Sequence, residues 1–418
     1  MKAGALARPP VLAVDRSRRH GLVLIALAAA TTSFGLRARP DAVFFLSDFT
    51  STTTLPDLVL PPQTTALAGS ALVFLLGLVQ LGALGGRRLP RGLALGVALA
   101  ALVLAFLCWA VSGRSISVPG LLTATIALSL PIMLGALTGV VCERAGVINI
   151  AIEAQFVLSA FAASVFASLY GVWIGVLTGS AAGALVAALL ALFAIRFLAD
   201  QVVVGIVLTL LMLGLTSFLF LRVIVPRQDS LNSPPILPTW RIPGLSSIPV
   251  VGEPLFAQNL IWYLALGLLL AVHVGLFHTR WGLRVQAVGE NPEAAESVGI
   301  SVTRTRYRNV IASGLIAGLG GTFLTIGSIG AFSTGVSSGK GFIALAAVIF
   351  GRWRPLAACG AALAFGFTDA AQSTLSVIGA PIPSTLLQML PYLVTIAVLA
   401  GLVGRVRPPA ADGKPFVK

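Results

Sequence analysis

Long apolar runs separated by short polar segments form the main pattern along this chain. Most runs are close to the length of about 20 residues that an α-helix needs to cross a bilayer. The run at 21–36 is shorter, and the run at 342–351 is too short to cross unaided. We therefore predict apolar helices at 21–36, 66–85, 93–112, 121–141, 147–169, 172–195, 202–224, 260–277, 310–331, 342–351, 355–375 and 385–403.

The composition indicates an all-α polytopic membrane protein. Hydrophobic residues make up 57% of the chain and charged residues 10%, whereas soluble domains carry about 25% charged residues. The net charge of +14 comes mostly from cations between the apolar runs, where they orient a membrane protein, so we expect lipid around the helices and no nucleic-acid partner. We find no catalytic cluster and no metal-site spacing, and Cys108, Cys142 and Cys359 are scattered. We therefore expect no enzyme activity, metal or cofactor in this chain.

Basic clusters indicate which side of the membrane each loop faces, because lysine and arginine are enriched in cytoplasmic loops. If both termini are cytoplasmic, counting the predicted helices places every cluster on that side. Segments 38–65 and 226–259, rich in Pro, Ser, Thr and Asp, then lie outside. We predict a multi-pass protein of the plasma (inner) membrane with both termini in the cytoplasm. The basic clusters are at 16–19, 87–91, 196, 280–308, 352–354 and 405–407.

The predicted helices group into an N-terminal unit and a larger core. Residues 1–117 contain three predicted helices without a polar residue inside them that indicates a function, and their role stays open. Residues 118–404 hold the remaining helices and form the core. Residues 405–418 form a short tail, which we expect on the cytoplasmic side.

The polar segment 278–308 interrupts the apolar core, and we call it the central loop. It carries five arginines and three glutamates, so it must lie in water. Asn291 is a good N-cap, Pro292 suits the first helical position, and Glu293 suits the positive end of the helix dipole. Gly299 then ends the helix in the left-handed conformation that glycine favours. The segment is either an ordinary positively charged loop or, as the caps favour, a docking helix of about two turns.

Polar residues inside the predicted helices are candidates for a substrate path. Of the 14 acidic residues, Glu153 and Asp369 lie well inside a predicted helix. Intramembrane carboxylates are costly and usually line a path or pair with another polar group. The candidate path residues are therefore these two carboxylates and three neighbouring amides, Asn149, Gln155 and Gln372.

Both carboxylates also have a structural interpretation. The polar segment around Glu153, from Glu143 to Gln155, is either a discontinuous helix near the path or a plain cytoplasmic turn in which Arg144 pairs with Glu143. Asp369 lies near the outer end of its helix, where it either contacts substrate or makes a structural hydrogen bond.

Glycines mark two further features of the core. Gly314 and Gly318 have the small-xxx-small spacing that lets helices pack closely. Gly341 and Gly351 bracket the short run, which reaches only about 13–14 Å as a helix. This run either crosses by extending into the polar residues around it or forms a half-helix buried against its neighbours. We predict that it lines the path and that its glycines let it tilt, with close packing and no moving part as the alternative.

Several separated motifs resemble the permease subunits of bacterial ABC importers for simple sugars and nucleosides. The similarity covers about residues 121–403, and the motifs are Glu143–Glu153, Thr279–Val302, Gly341–Pro355 and Leu386–Tyr392. The resemblance implies a core of about ten spans like the vitamin B12 and ribose importers, with a coupling helix at about Asn291–Val298. The residues implied in coupling to an ATPase are Gly289, Glu290, Asn291, Pro292, Glu293, Ala294, Ala295 and Glu296.

The same resemblance implies the partners of the chain. ATP would be hydrolysed by a cytoplasmic ATP-binding cassette protein, and a second permease subunit, either a paralogue or a copy, would complete the membrane part. An extracytoplasmic binding lipoprotein would deliver the substrate. One departure is Ala154, since the family often has glycine after the glutamate that Glu153 matches.

These expectations combine into one predicted function, a permease subunit that forms the translocation path for nucleosides. The motifs leave a simple-sugar permease open as the alternative, because few polar residues mark the predicted path. A secondary transporter is a third class, and it would need several paired intramembrane charges to bind a coupling ion.

Overall fold

The computed structural model describes residues 16–36, 40–47, 55–82, 90–380, 382–389 and 407–417. Contacts divide the chain into two compact units. The first consists of Met1–Val118 and Thr374–Ser384, and the second of Pro119–Ser373 and Thr385–Lys418.

Among its described residues, the first unit contains three apolar helices and a small sheet, besides the segment Thr374–Ser384. Leu24, Val73 and Ala98 are among the buried residues where the helices pack, and Thr32 Oγ1 lies 2.6 Å from Ser70 Oγ between two of them. The short strands were not predicted, because they lie in polar segments without an alternating pattern; β1 pairs antiparallel with β2 and parallel with β3. The elements are α1 (Arg16–Gly35), β1 (Ala42–Phe45), β2 (Leu58–Leu60), α2 (Pro62–Leu81), α3 (Arg91–Ala110) and β3 (Ser115–Ser117).

The remaining elements are mostly helical, with one short antiparallel strand pair. They are α4 (Val118–Arg144), α5 (Ile152–Tyr170), α6 (Val172–Ala191), α7 (Gln201–Leu219), α8 (Gln228–Leu231), β4 (Thr239–Arg241), α9 (Gly252–Phe256), β5 (Ala257–Asn259), α10 (Leu260–His278), α11 (Arg280–Glu290), α12 (Pro292–Ser297), α13 (Val302–Leu324), α14 (Lys340–Phe350), α15 (Pro355–Val377) and α16 (Ser384–Gln388). Wider, π-helical turns extend α6, α7 and α13 at Leu192–Arg196, Phe220–Ile224 and Thr325–Ile329, and a 3₁₀ turn follows at Val225–Arg227.

The predicted all-α membrane class is confirmed. Among the described residues, eight helices are long and apolar enough to cross a membrane: α2, α3, α4, α5, α10 and the extended α6, α7 and α13. The apolar parts of α1 and α14 are shorter, and α15 occupies the predicted run 355–375. The predicted helix 385–403 lies mostly outside the described residues.

Three helices form the centre of the second unit. In the most apolar part of α4, 89% of the residues are buried, and the share is 72% in α13 and 61% in α5. In the corresponding parts of α6, α7 and α10, only 28–33% of the residues are buried. Glycines allow the close approach at this centre. A β-carbon at Gly318 would lie 2.6 Å from Ser180 Cα on α6, so the two backbones approach closely there, and the packing role of Gly314 and Gly318 stays a prediction.

The predicted orientation can be tested with two exposed serines. Ser230 lies in α8 and Ser297 at the end of α12, and the basic clusters place them on opposite sides of the membrane. We expect a cysteine at Ser230 to react with an impermeant thiol reagent in intact cells and a cysteine at Ser297 to react only after permeabilisation. The three native cysteines are buried and should give little background. Equal labelling of both positions in intact cells would contradict the orientation.

Candidate functional site

The helix α12 has the ends that its sequence predicts. Asn291 is the N-cap, and its Oδ1 accepts a hydrogen bond from Ala294 N at 3.1 Å. Pro292 occupies the first helical position, and Gly299 follows the helix with φ of +84°. Because both ends are fixed by local chemistry, α12 has a defined place beside α11 and α13.

One side of α12 is fixed by packing and the other is exposed. Ala295 is buried with Val288 and Val302, and Glu296 Oε2 accepts a hydrogen bond from Val302 N at 3.0 Å. Glu293 and Ala294 are exposed. The surface that α12 offers to a partner is therefore acidic and small, and docking of an ATPase there stays a prediction.

The segment between α4 and α5 enters the helical bundle without being helical. Ile152, the first residue of α5, lies against Gly135 and Gly139 of α4, which precede the end of α4 by about 7–14 Å of helix. Residues 145–151 therefore run back along α4 before α5 begins, five residues later than the predicted helix start. Non-helical backbone at depth needs protein partners, and Ile148 N donates to Gln201 Oε1 at 2.7 Å. The discontinuous arrangement, rather than a plain turn, is what the structure shows.

Glu153 binds the start of α14. Its Oε1 accepts hydrogen bonds from Ser337 Oγ at 2.6 Å and from Gly339 N at 3.1 Å, and its Oε2 accepts from Gly341 N at 2.7 Å. A carboxylate at this position favours the helix because it satisfies N–H groups that have no partner within the helix and lies at the positive end of the dipole. The carboxylate is thus engaged in protein contacts, while contact with substrate stays a prediction.

Asp369 approaches the same turn from α15. Its Oδ2 lies 3.5 Å from Lys340 Nζ, and the two side chains are 25% and 13% exposed. Gln372 follows one turn later on α15 and is half-buried. Glu153 and Asp369, although distant in sequence, therefore both contact residues 337–341 at the start of α14.

Asn149 and Gln155 form a buried amide pair. Asn149 Nδ2 donates to Gln155 Oε1 at 3.4 Å. Within the described residues, Asn149 Oδ1, Gln155 Nε2 and Ser159 Oγ are buried without a hydrogen-bond partner. Because an amide offers both a donor and an acceptor, this region can bind a neutral polar group. A role in the path remains the prediction for both amides.

The short run 342–351 forms the half-helix α14, which settles the alternative left open by its length. Residues 330–339 before it are not helical apart from single turns. A β-carbon at Gly341 would lie 2.5 Å from Glu153 N, and one at Gly351 would collide with Ala358. Both glycines thus allow close packing, and their predicted hinge role is untested.

The C-terminal tail docks on the central loop, which the sequence analysis did not predict. Ala411 N donates to Gly289 O at 2.9 Å, Arg306 Nη1 donates to Lys414 O at 3.0 Å, and Phe416 packs beside α12. Burial raises the pKa of Asp412 to about 7, although the nearby Arg306 cation opposes this rise. In the sequence, the feature that could have indicated this docking was the apolar pair Phe416 and Val417 at the end of a polar tail.

Arg144 does not make the local ion pair that its sequence position suggested. Its Nε donates to the carbonyl oxygen of Trp353 at 3.1 Å, and the Glu143 carboxylate accepts a hydrogen bond from Trp353 Nε1. Both side chains thus contact the turn between α14 and α15. In the described part of the chain, no group of His, Cys, Asp and Glu side chains is arranged to hold a metal ion.

A family model described as "Branched-chain amino acid transport system / permease component" matches residues 121–399. The chain belongs to this permease family. The match confirms the resemblance seen in the motifs and covers most of the second unit. It begins after the first 120 residues, so the N-terminal helices lie outside it. The family consists of transport components rather than enzymes.

The chain aligns with several relatives over nearly the whole length of each relative. The chain is 41% identical to the guanosine ABC transporter permease protein NupQ of Bacillus subtilis (strain 168), covering 71% of this chain and 95% of NupQ. It is 37% identical to the nucleoside ABC transporter permease protein NupC of Lactococcus lactis subsp. cremoris, covering 69% and 94%. It is 34% identical to the putative glucose ABC transporter permease protein TsgC13 of Haloferax volcanii, covering 68% and 92%. No solved structure matches the chain.

Proposed function

We propose that this chain is the transmembrane permease subunit of an ATP-driven importer that brings nucleosides across the bacterial plasma membrane. The similarity to NupQ and NupC, at 41% and 37% identity over nearly the full length of both, carries this proposal. The central loop faces the cytoplasm in this arrangement, as the basic clusters favour.

The buried polar groups of the second unit support a neutral, hydrogen-bonding substrate. Asn149, Gln155 and Ser159 provide buried donor and acceptor atoms without a partner among the described residues, and nucleosides present amide-like base edges and hydroxyls that match such groups. Glu153 and Asp369 are held by protein partners, whereas an ion-coupled transporter needs charged groups that bind the coupling ion. This contrast supports ATP-driven uptake over ion coupling.

The proposed partners rest on the similarity to subunits of ABC transporters. The exposed edge of α12 is available for a cytoplasmic ATP-binding cassette protein, which would hydrolyse the ATP. A second permease subunit and an extracytoplasmic binding lipoprotein would complete the system. A simple sugar is the second candidate substrate, because the chain is also 34% identical to a putative glucose permease.

Competition for uptake tests the substrate. Cells that produce the chain with its partner subunits should take up a labelled nucleoside in a saturable manner, and an inactive ATPase partner should abolish the uptake. Unlabelled nucleosides at 100-fold excess should compete almost completely, since occupancy follows mass action, whereas glucose and free ribose should not. Competition by glucose without competition by nucleosides would contradict the nucleoside proposal and favour the sugar alternative.

A further inference from the structure

Residues 143–153, which we call the connector, hold the half-helix α14 at both of its ends. At the start of α14, Glu153 accepts the three hydrogen bonds described above. At its end, Trp353 receives a hydrogen bond from Arg144 Nε to its carbonyl oxygen and donates one from its indole N–H to the Glu143 carboxylate. One short segment thus contacts both ends of a helix that lies far away in sequence.

The turn at the end of α14 depends on these contacts. Arg352 and Trp353 have φ angles of +52° and +54°, a left-handed conformation that is costly for residues other than glycine. Such backbone persists where the surrounding structure holds it in place. Trp353 is 6% exposed, and its side chain and carbonyl group are both bound by the connector. The connector therefore fixes the end of α14 together with local backbone hydrogen bonds such as that from Trp353 N to Val348 O at 3.1 Å.

The connector also packs directly against the central loop. A β-carbon at Gly289, in the last turn of α11, would collide with the carbonyl oxygen of Arg144. A β-carbon at Gly146 would lie 3.5 Å from Gly289 Cα, so the two backbones meet without intervening side chains. The docked tail also meets the connector, since a β-carbon at Gly413 would lie 2.7 Å from Ile148. A shift of the central loop towards these contacts therefore displaces the connector as well, because closely packed backbones leave no gap between them.

We propose that the connector transmits movement of the central loop to α14, and that Glu143 and Trp353 are positioning residues for this step. The proposal rests on the proposed function, in which an ATPase moves the central loop. Coupling between distant sites is carried by packed and hydrogen-bonded groups with discrete arrangements, and the connector is such a path of direct contacts. Its endpoint at α14 lies next to Lys340 and Asp369, so movement there changes the region of the candidate path.

Two matched tryptophan variants separate a loss of transmitted movement from a loss of folding stability. Trp353→Phe removes the indole N–H donor and leaves the buried Glu143 carboxylate without it. Trp262→Phe removes an indole N–H that donates to Leu255 O at 3.1 Å, and Trp262 is 3% exposed. Both variants lose one hydrogen bond of a buried tryptophan. The bond to the Glu143 carboxylate is the stronger of the two, so the thermal stability of both assembled variants is measured alongside. Trp262 lies at the start of α10, whereas Arg144 of the connector contacts Phe277 near the other end of that helix.

A cysteine at Ser338, introduced in both tryptophan variants and their parent, reports movement at the start of α14. Ser338 is exposed in the non-helical stretch before α14, and the native cysteines are buried. In the assembled transporter in nanodiscs, we expect trapping the ATPase with ATP and vanadate to change the labelling rate of this cysteine by about tenfold. Trp353→Phe should reduce that change to about twofold or less, and Trp262→Phe should retain it.

The outcomes either support the proposal or overturn it. An undiminished nucleotide-dependent change in Trp353→Phe, or a parent transporter without any change at Ser338, would overturn it. If Trp353→Phe does not assemble, Glu143→Gln replaces it, because the amide keeps the shape but accepts a weaker hydrogen bond, and an undiminished change there counts against the proposal. The labelling measurement needs no transported substrate. Its failure can therefore be distinguished from a failure of the nucleoside assignment, which is tested by uptake assays.

Discussion

Reversing the charge of one exposed residue of α12, by Glu293→Arg, should abolish nucleoside uptake and substrate-stimulated ATP hydrolysis at a normal amount of protein in the membrane. Glu293 is exposed in the first turn of α12, where a negative charge is favourable. An arginine there repels the positive end of the dipole and any basic partner surface. Since charge pairs at interfaces are worth several kcal/mol, we expect a loss of about 100-fold or more.

The control for this variant is the same reversal in another short helix. Asp229 is an exposed acidic residue in the first turn of α8, which the predicted orientation places outside the cell. Asp229→Arg should keep uptake within about twofold of the parent, as expected for an exposed site. Uptake rates, ATP hydrolysis and membrane amounts are compared for both variants, and a cysteine at Ala294 should cross-link to the ATPase. Parental uptake by Glu293→Arg would remove α12 as the docking element.

Features with local causes were predictable from the sequence. The helix α12 and its ends followed from Asn291, Pro292 and Gly299, because capping involves residues within one turn of each other. The positions of the long helices followed from apolar runs, because their length is set by the bilayer. The close approach at Gly318 followed from the spacing of small residues.

Features that depend on distant partners were not predictable. The five-residue delay before α5 begins follows from the contact of Ile152 with two glycines of α4, and apolar periodicity does not identify such a neighbour. The same limit applies to Glu153, whose partners lie at 337–341, and to the docked tail, whose partner is Arg306. One signal was available at α14: its N-cap is Gly339, which has no side chain to cap the helix, so the cap had to come from elsewhere.

Gly341→Val tests whether the packed start of α14 matters for transport. A β-carbon at Gly341 would lie 2.5 Å from Glu153 N and 2.7 Å from Glu153 Oε2, so valine must displace α14 from the carboxylate that binds its N–H groups. Overpacking of this kind costs about 1–3 kcal/mol. If the cost falls on one state of the transport cycle, uptake falls by about tenfold or more. Gly351→Val should act similarly, because a β-carbon there collides with Ala358.

The matched control is Gly360→Val on α15, since a β-carbon at Gly360 meets no atom within 4 Å. It introduces the same change of residue into an apolar helix near Ala358 without disturbing α14. Initial uptake rates are divided by the amount of protein in the membrane, so that a loss of folded protein is separated from a loss of transport. Parental rates for Gly341→Val and Gly351→Val would show that α14 tolerates displacement at both ends. If α14 must instead keep its close contact with Glu153, Gly360→Val should transport normally and the other two variants should lose transport sharply.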